Sequence, residues 1–192
     1  EWKQNYVRGV PTTKLEKIGP FRGHGTTIYF EPDESIFKTT KFNADEIRTH
    51  LEDMSYIHSG LKIIFKNEVA GETLDLTHPG GIPDFLKKLI SDGQKPTVTE
   101  AAFHVERGNG DKMAAVLQWT ESTDEVIRSY VNGIRTASGG THENGFRGAI
   151  VKAIRGYMET HKVNTKGLAI TAEDIREGIV GVLSVFVREP MF

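Results

Sequence analysis

Thr136-Ala137-Ser138-Gly139-Gly140-Thr141-His142-Glu143-Asn144-Gly145-Phe146-Arg147 is the stretch around which the rest of the chain can be arranged. Gly139 and Gly140 can take positive φ without the clash that a Cβ brings, so a sharp reversal is expected there. Thr141 is then placed to cap a helix through its hydroxyl, and Glu143 sets a negative charge at the positive end of that helix. The helix predicted over about 143–161 carries Phe146, Ile150, Ala153, Ile154 and Tyr157 at the spacing of one apolar face. Lys152, Arg155 and Lys162 fall on its far side, with Arg147 at the margin of the apolar stripe.

Upstream of the glycines, β-branched and aromatic runs predict three strands at 101–106, 113–120 and 125–131. Downstream, Thr171 and Asp174 are spaced to cap a short turn, and the nearly continuous apolar run 179–187 suits the centre of a sheet. Further out, Asn43 with Glu46 reads as a capping box for a helix whose Ile47, Leu51, Met54 and Ile57 form a stripe facing a sheet, with Tyr56 on its flank. Gly60 ends that helix, and 61–65 with 72–77 predict a hairpin. Pro83 opens a second helix that buries Ile82, Phe85, Leu86, Leu89 and Ile90 before Asp92-Gly93 stops it. Residues 26–30 read as a strand, 1–24 as a lead-in segment, and 25–192 as the folded domain. Glu1 is not an initiator methionine, and the chain is expected to be a piece of a longer protein.

Composition narrows the functional classes. With 38% hydrophobic residues the chain can fill a core, and its formal net charge of −2 offers no global attraction to nucleic acid. The absence of cysteine excludes disulfides and thiolate metal sites and fits a cytoplasmic setting, and no apolar run reaches membrane-spanning length. The glycines of 19–27 lack the lysine of a phosphate-binding loop. His50 and His58 lie two turns apart on a helix, too far to chelate one ion, and the histidines are expected to be solvated. His142 and Glu143 can orient each other, yet no serine or cysteine stands in a nucleophile elbow. No catalytic, cofactor-binding or metal-ligating residue is therefore assigned. Arg147, Lys152 and Arg155 place three cations on one helix, suited to DNA phosphates without base reading; a solvated helix face accounts for them equally well. In Asp174-Ile175-Arg176-Glu177-Gly178, Arg176 is expected to brace a carboxylate within the chain.

Six separated motifs occur in one order: Gly25-Thr26-Thr27-Ile28-Tyr29-Phe30-Glu31-Pro32-Asp33, Pro79-Gly80-Gly81-Ile82, Gln118-Trp119, Gly139-Gly140-Thr141-His142-Glu143, Gly145-Phe146-Arg147 and Asp174-Ile175-Arg176-Glu177-Gly178. In this the chain resembles the transducer domain of the DNA gyrase B family over nearly its whole length, and the corresponding part of topoisomerase IV looks similar. The resemblance implies an α+β fold of the type seen in the second domain of a small-subunit ribosomal protein, with helices on one face of a four-stranded main sheet. It makes Gly139, Gly140, Thr141, His142, Glu143, Arg176 and Glu177 a structural signature, and Arg147 a contact to the DNA duplex captured in the clamp. It implies ATP and Mg²⁺ in an adjacent domain, a phosphate-sensing lysine in a Gln-Thr-Lys loop just beyond Phe192, and a gyrase A partner in the parent enzyme. The piece itself would be non-catalytic. The first long helix departs from the family's pattern at 47–58, which weakens any transfer of contacts there. A nucleic-acid-binding module of the same fold is the alternative.

Overall fold

A computed structural model describes residues 1–191, which divide into two compact units, residues 1–43 and Ala44 onward. The first unit contains two short antiparallel ladders. Strand β1 (Trp2–Lys3) pairs with β4 (Glu16–Lys17), and β2 (Tyr6–Val7) pairs with β3 (Val10–Pro11) around a turn in which Arg8 and Gly9 take positive φ. Residues 26–30 form no strand, contrary to their β-prone composition. A strand exists only through pairing, and no described segment pairs with this one. Ile28, Tyr29 and Phe30 are accordingly exposed.

The second unit holds α1 (Ala44–Ile57), the hairpin β5 (Ile64–Asn67) and β6 (Glu72–Asp75), α2 (Gly81–Gly93), β7 (Phe103–Asn109), β8 (Asp111–Trp119), β9 (Val126–Val131), β10 (Ile134–Arg135), α3 (Thr141–Thr160), α4 (Ala172–Arg176) and β11 (Ile179–Phe186). The main sheet has five strands in the order β10-β9-β11-β8-β7, one more than expected, the addition being the two-residue edge strand β10. Its sign is mixed: β11 runs antiparallel to β8 and parallel to β9, and a parallel pair needs a crossover, here supplied by α3 and α4. Six consecutive residues of β11, from Ile179 to Ser184, are buried, as its apolar run requires of a strand covered on both faces.

Helices cover both faces, not one. Val116, Tyr130, Val180 and Val182 point toward α1 and α2, where they meet Tyr56, Ile57, Ile82, Phe85 and Leu86. Their neighbours of opposite parity, Leu117, Ile127 and Ile179, pack against Phe146, Ile150, Ile154 and Ile175 of α3 and α4. The apolar stripe of a helix predicts that it lies on a sheet but not on which side, and strand alternation makes both sides available here.

Local packing also moves some residues. Tyr56 sits in the core rather than on a flank: its ring stacks on Phe85 at 4.8 Å and on His78 at 3.8 Å, while Ile47 is exposed. His78 Nδ1 lies 2.7 Å from the hydroxyl of the fully buried Ser55, and His58 packs edge-on against Phe186, so these two histidines are half-buried rather than free in solvent. In α3, Ala153 and Tyr157 are exposed, and Val151 joins the packed face instead. Among the described residues no helix is long and apolar enough to cross a membrane.

Gly178 joins α4 to β11 at φ +77°, and a Cβ there would overlap the Thr120 carbonyl oxygen. The Gly178 carbonyl meanwhile accepts the Thr120 backbone N–H at 2.8 Å. Gly178→Ala is expected to lower the unfolding free energy by about 2–4 kcal/mol in urea titrations.

The Tyr130 hydroxyl donates to Asp53 at 2.7 Å. Burial, then the charge of Asp53 and this hydrogen bond, raise its pKa far above the usual tyrosine value. Tyrosine in the unfolded chain ionises at about pH 10, so above that pH the unfolded state holds fewer protons than the folded one. Stability is thus retained below about pH 10 and falls above it, by at most about 1.4 kcal/mol per unit for this group. Urea unfolding across this range should show that decline in the native chain and a shallower one in Tyr130→Phe, with Tyr56, whose pKa burial also raises, supplying part of what remains.

Candidate nucleic-acid interface

The turn 136–147 is built as a glycine corner with a polar interior. Gly139 takes φ +73°, a conformation that disfavours side chains, and its N–H donates to the Thr136 carbonyl at 2.9 Å. Gly140 is close to extended and occupies the N-cap position, so Thr141 is already the first helical residue and its hydroxyl does not cap. His142 and Glu143 do not orient each other. As sequence neighbours on a helix they project apart: His142 Nε2 lies 3.0 Å from the Thr136 hydroxyl, and Glu143 turns inward.

Glu143 is only 6% exposed, and its carboxylate is satisfied from two sides. The Ser129 hydroxyl on β9 donates to Glu143 Oε2, and that hydroxyl lies 2.7 Å from the Thr136 hydroxyl. One turn along α3, Arg147 Nη1 reaches Glu143 Oε1 at 2.6 Å, while Arg147 Nε donates to Glu125 Oε1 at 2.8 Å. The other oxygen of Glu125 lies 3.5 Å from Arg176 Nη1, and Arg176 Nη2 donates to Glu173 at 3.1 Å. Arg176 thus braces carboxylates within the chain, while the exposed Glu177 joins the structure through its backbone N–H to the Glu173 carbonyl.

A single connected set of side chains therefore runs from β9 through α3 to α4. The segment before β11 is further held by the reciprocal capping box of Thr171 with Asp174 and by the Trp119 indole, which donates to the Ile175 carbonyl at 2.9 Å. Burial draws the Arg147 pKa down, but the hydrogen bond and charge of Glu125, followed by Glu143, outweigh it and leave the pKa above its ordinary value.

Arg147, Lys152 and Arg155 come together along one groove of about 750 Å³, which Arg176, Val151 and Glu159 also line. The cations differ in availability. Arg147 is 28% exposed and engaged by two carboxylates. Lys152 and Arg155 are exposed: Arg155 reaches the Ile170 carbonyl at 3.5 Å, and Lys152 has no partner among the described residues. Such a surface suits a phosphodiester backbone: cations along a groove contact phosphates and carry no base-reading geometry. Among the described residues no cluster of His, Asp and Glu could hold a metal ion.

Thr136, the first residue of the glycine-corner stretch, joins the network with Glu125 and Ser129, which neither periodicity nor motif singles out. The available signal is a serine at an inward-facing position of β9, between Ile127 and Val131, where a polar group needs a partner. Glu143→Ala should cost about 2–3 kcal/mol of stability in urea unfolding, below the full penalty of a buried unpaired charge because Arg147 keeps Glu125 and some water. A loss under about 1 kcal/mol would show that the network carries little.

The sequence profile of the family described as DNA gyrase B matches residues 81–192, more than half of the chain. The DNA gyrase B protein of Thermotoga maritima is 34% identical over all of this chain, which spans 31% of that relative. The chain thus covers about a third of that curated relative's length. The 43K ATPase domain of Thermus thermophilus gyrase B, solved with an aminocoumarin, superimposes with a TM-score of 0.78 at 28% identity, covering 100% of this chain and 53% of that one. The topoisomerase IV ATP-binding domain of Francisella tularensis gives 0.77 at 26% identity, covering 100% of this chain and 52% of that one. The profile match over more than half of the chain places it in the DNA gyrase B family, to which the chain belongs.

Proposed function

We propose that this chain is the transducer part of a gyrase B protein, coupling ATP binding and hydrolysis in an adjacent domain to clamp closure and DNA strand passage. The observation that carries the proposal is the side-chain network joining β9, α3 and α4, because a relay must move as one body and this network ties both crossover helices to the sheet. ATP and Mg²⁺ bind in the upstream domain of the parent enzyme, and the lysine that senses the terminal phosphate lies in the Gln-Thr-Lys loop beyond Phe192. Bonding of that lysine to the γ-phosphate favours one angle between the domains, and hydrolysis releases it. The parent is a cytoplasmic type II topoisomerase that works with a gyrase A partner. The corresponding part of topoisomerase IV is the second reading, favoured by the Francisella tularensis likeness.

The groove of Arg147, Lys152 and Arg155 faces the captured duplex in this proposal, and its local cations offset the overall negative charge of the chain. The chain alone is expected to show no ATP turnover, while a longer piece carrying the upstream domain and the lysine loop hydrolyses ATP. Glu143→Gln in the parent enzyme should leave hydrolysis near the native rate while strand passage falls by about tenfold. Equal losses in both, or ATP turnover by the chain alone, would contradict the relay.

A further inference from the structure

We propose that Glu125 is a positioning residue that stands in for a DNA phosphate: it orients the Arg147 guanidinium and withholds its charge, so that a duplex in the groove is held loosely enough to pass through. This rests on the groove being the DNA contact. Arg147 and Arg176 bring two positive charges to the network, whereas Glu125, Glu143 and Glu173 bring three negative ones, so neither guanidinium presents an uncompensated charge. Glu125 grips both arginines, one with each oxygen, at 2.8 and 3.5 Å. Arg147 Nη2 has no hydrogen-bonding partner among the described residues, which leaves an N–H for a first phosphate contact while Nη1 stays on Glu143. Glu125 is itself 21% exposed, so an incoming phosphate can compete with it for Nε. A guanidinium fork donates to carboxylate and to phosphate with the same paired geometry, which makes the exchange one of partner rather than of conformation.

Affinity of the chain for a short DNA duplex, measured by fluorescence anisotropy over a salt series, tests this. Glu125→Gln keeps the side-chain shape and removes the competing charge. It should tighten binding by about fivefold at low salt and steepen the slope of log affinity against log salt by about one unit. Adding Arg147→Gln should abolish both gains. A purely structural role predicts weaker binding and no steeper slope. Should Glu125→Gln fail to fold, the ¹⁵N resonance of Arg147 Nε in the unaltered chain serves instead: duplex addition should shift it together with the Glu125 carboxylate carbon.

Lys152→Gln separates the two ideas. If it weakens binding and flattens the slope while Glu125→Gln changes nothing, the phosphate stand-in is overturned and the groove survives. If neither variant alters binding, or the unaltered chain shows no duplex binding at low salt, the groove assignment falls and takes the proposal with it. An Arg147 Nε signal that stays fixed on DNA addition also overturns the proposal.

Discussion

The carboxylate of Glu143 is buried in the first turn of α3, and the structure around it follows from the need to satisfy that charge. A carboxylate withdrawn from water costs several kcal/mol unless hydrogen bonds and an opposite charge replace the lost hydration. Ser129 supplies the hydrogen bond from the sheet and Arg147 the charge from the helix. Meeting both demands fixes where α3 begins, which way it rotates and how it lies on β9. The glycine corner at Gly139 brings the chain to that point, and Glu125 extends the same logic to Arg176 on α4. The position of the groove cations follows, since Lys152 and Arg155 ride on a helix whose rotation Arg147 and Glu143 have set.

The two faces of the sheet are built differently. Toward α1 and α2 the core is aromatic and aliphatic, with Tyr56, Phe85 and Tyr130 in contact and Asp53 meeting the Tyr130 hydroxyl at the rim. Toward α3 and α4 an aliphatic patch around Leu117, Ile150 and Ile179 adjoins the ionic network. Non-directional burial stabilises the first face, at about 1.5–3 kcal/mol for each fully buried large aliphatic side chain. Directional pairs on the second set orientation as well as contributing energy. One face supplies stability, and the other fixes the orientation of the helix that carries the groove cations.

Much of this is legible in the chain. The apolar run 179–187 suits only a strand buried on both sides, and β11 is that strand; Ile82, Phe85 and Leu86 at helical spacing define the buried face of α2. Thr171 and Asp174 form the expected capping box because that motif is local, complete within four residues. What cannot be read depends on distant partners. Glu125 and Ser129 acquire meaning only when β9 comes alongside α3, and neither belongs to a periodic pattern. The side of the sheet that each helix covers is decided by strand parity and crossover together. Spacing puts Tyr157 on the apolar face, but it falls toward the end of α3 past the packed residues, where its ring lies tilted against that of His161 in an exposed position. The proposed function rests on the resemblance of ordered motifs, not on periodicity or charge.

The buried Glu143 carboxylate and its partners lock α3 to the sheet, so that the two open together. Native-state hydrogen exchange tests this most directly, by comparing amides of residues 146–154 in α3 with those of 180–184 in β11. Locking predicts opening free energies that agree within about 1 kcal/mol, because α3 can open only when the sheet unfolds. Exchange of the α3 amides through a much cheaper local opening, with β11 still protected, would contradict it.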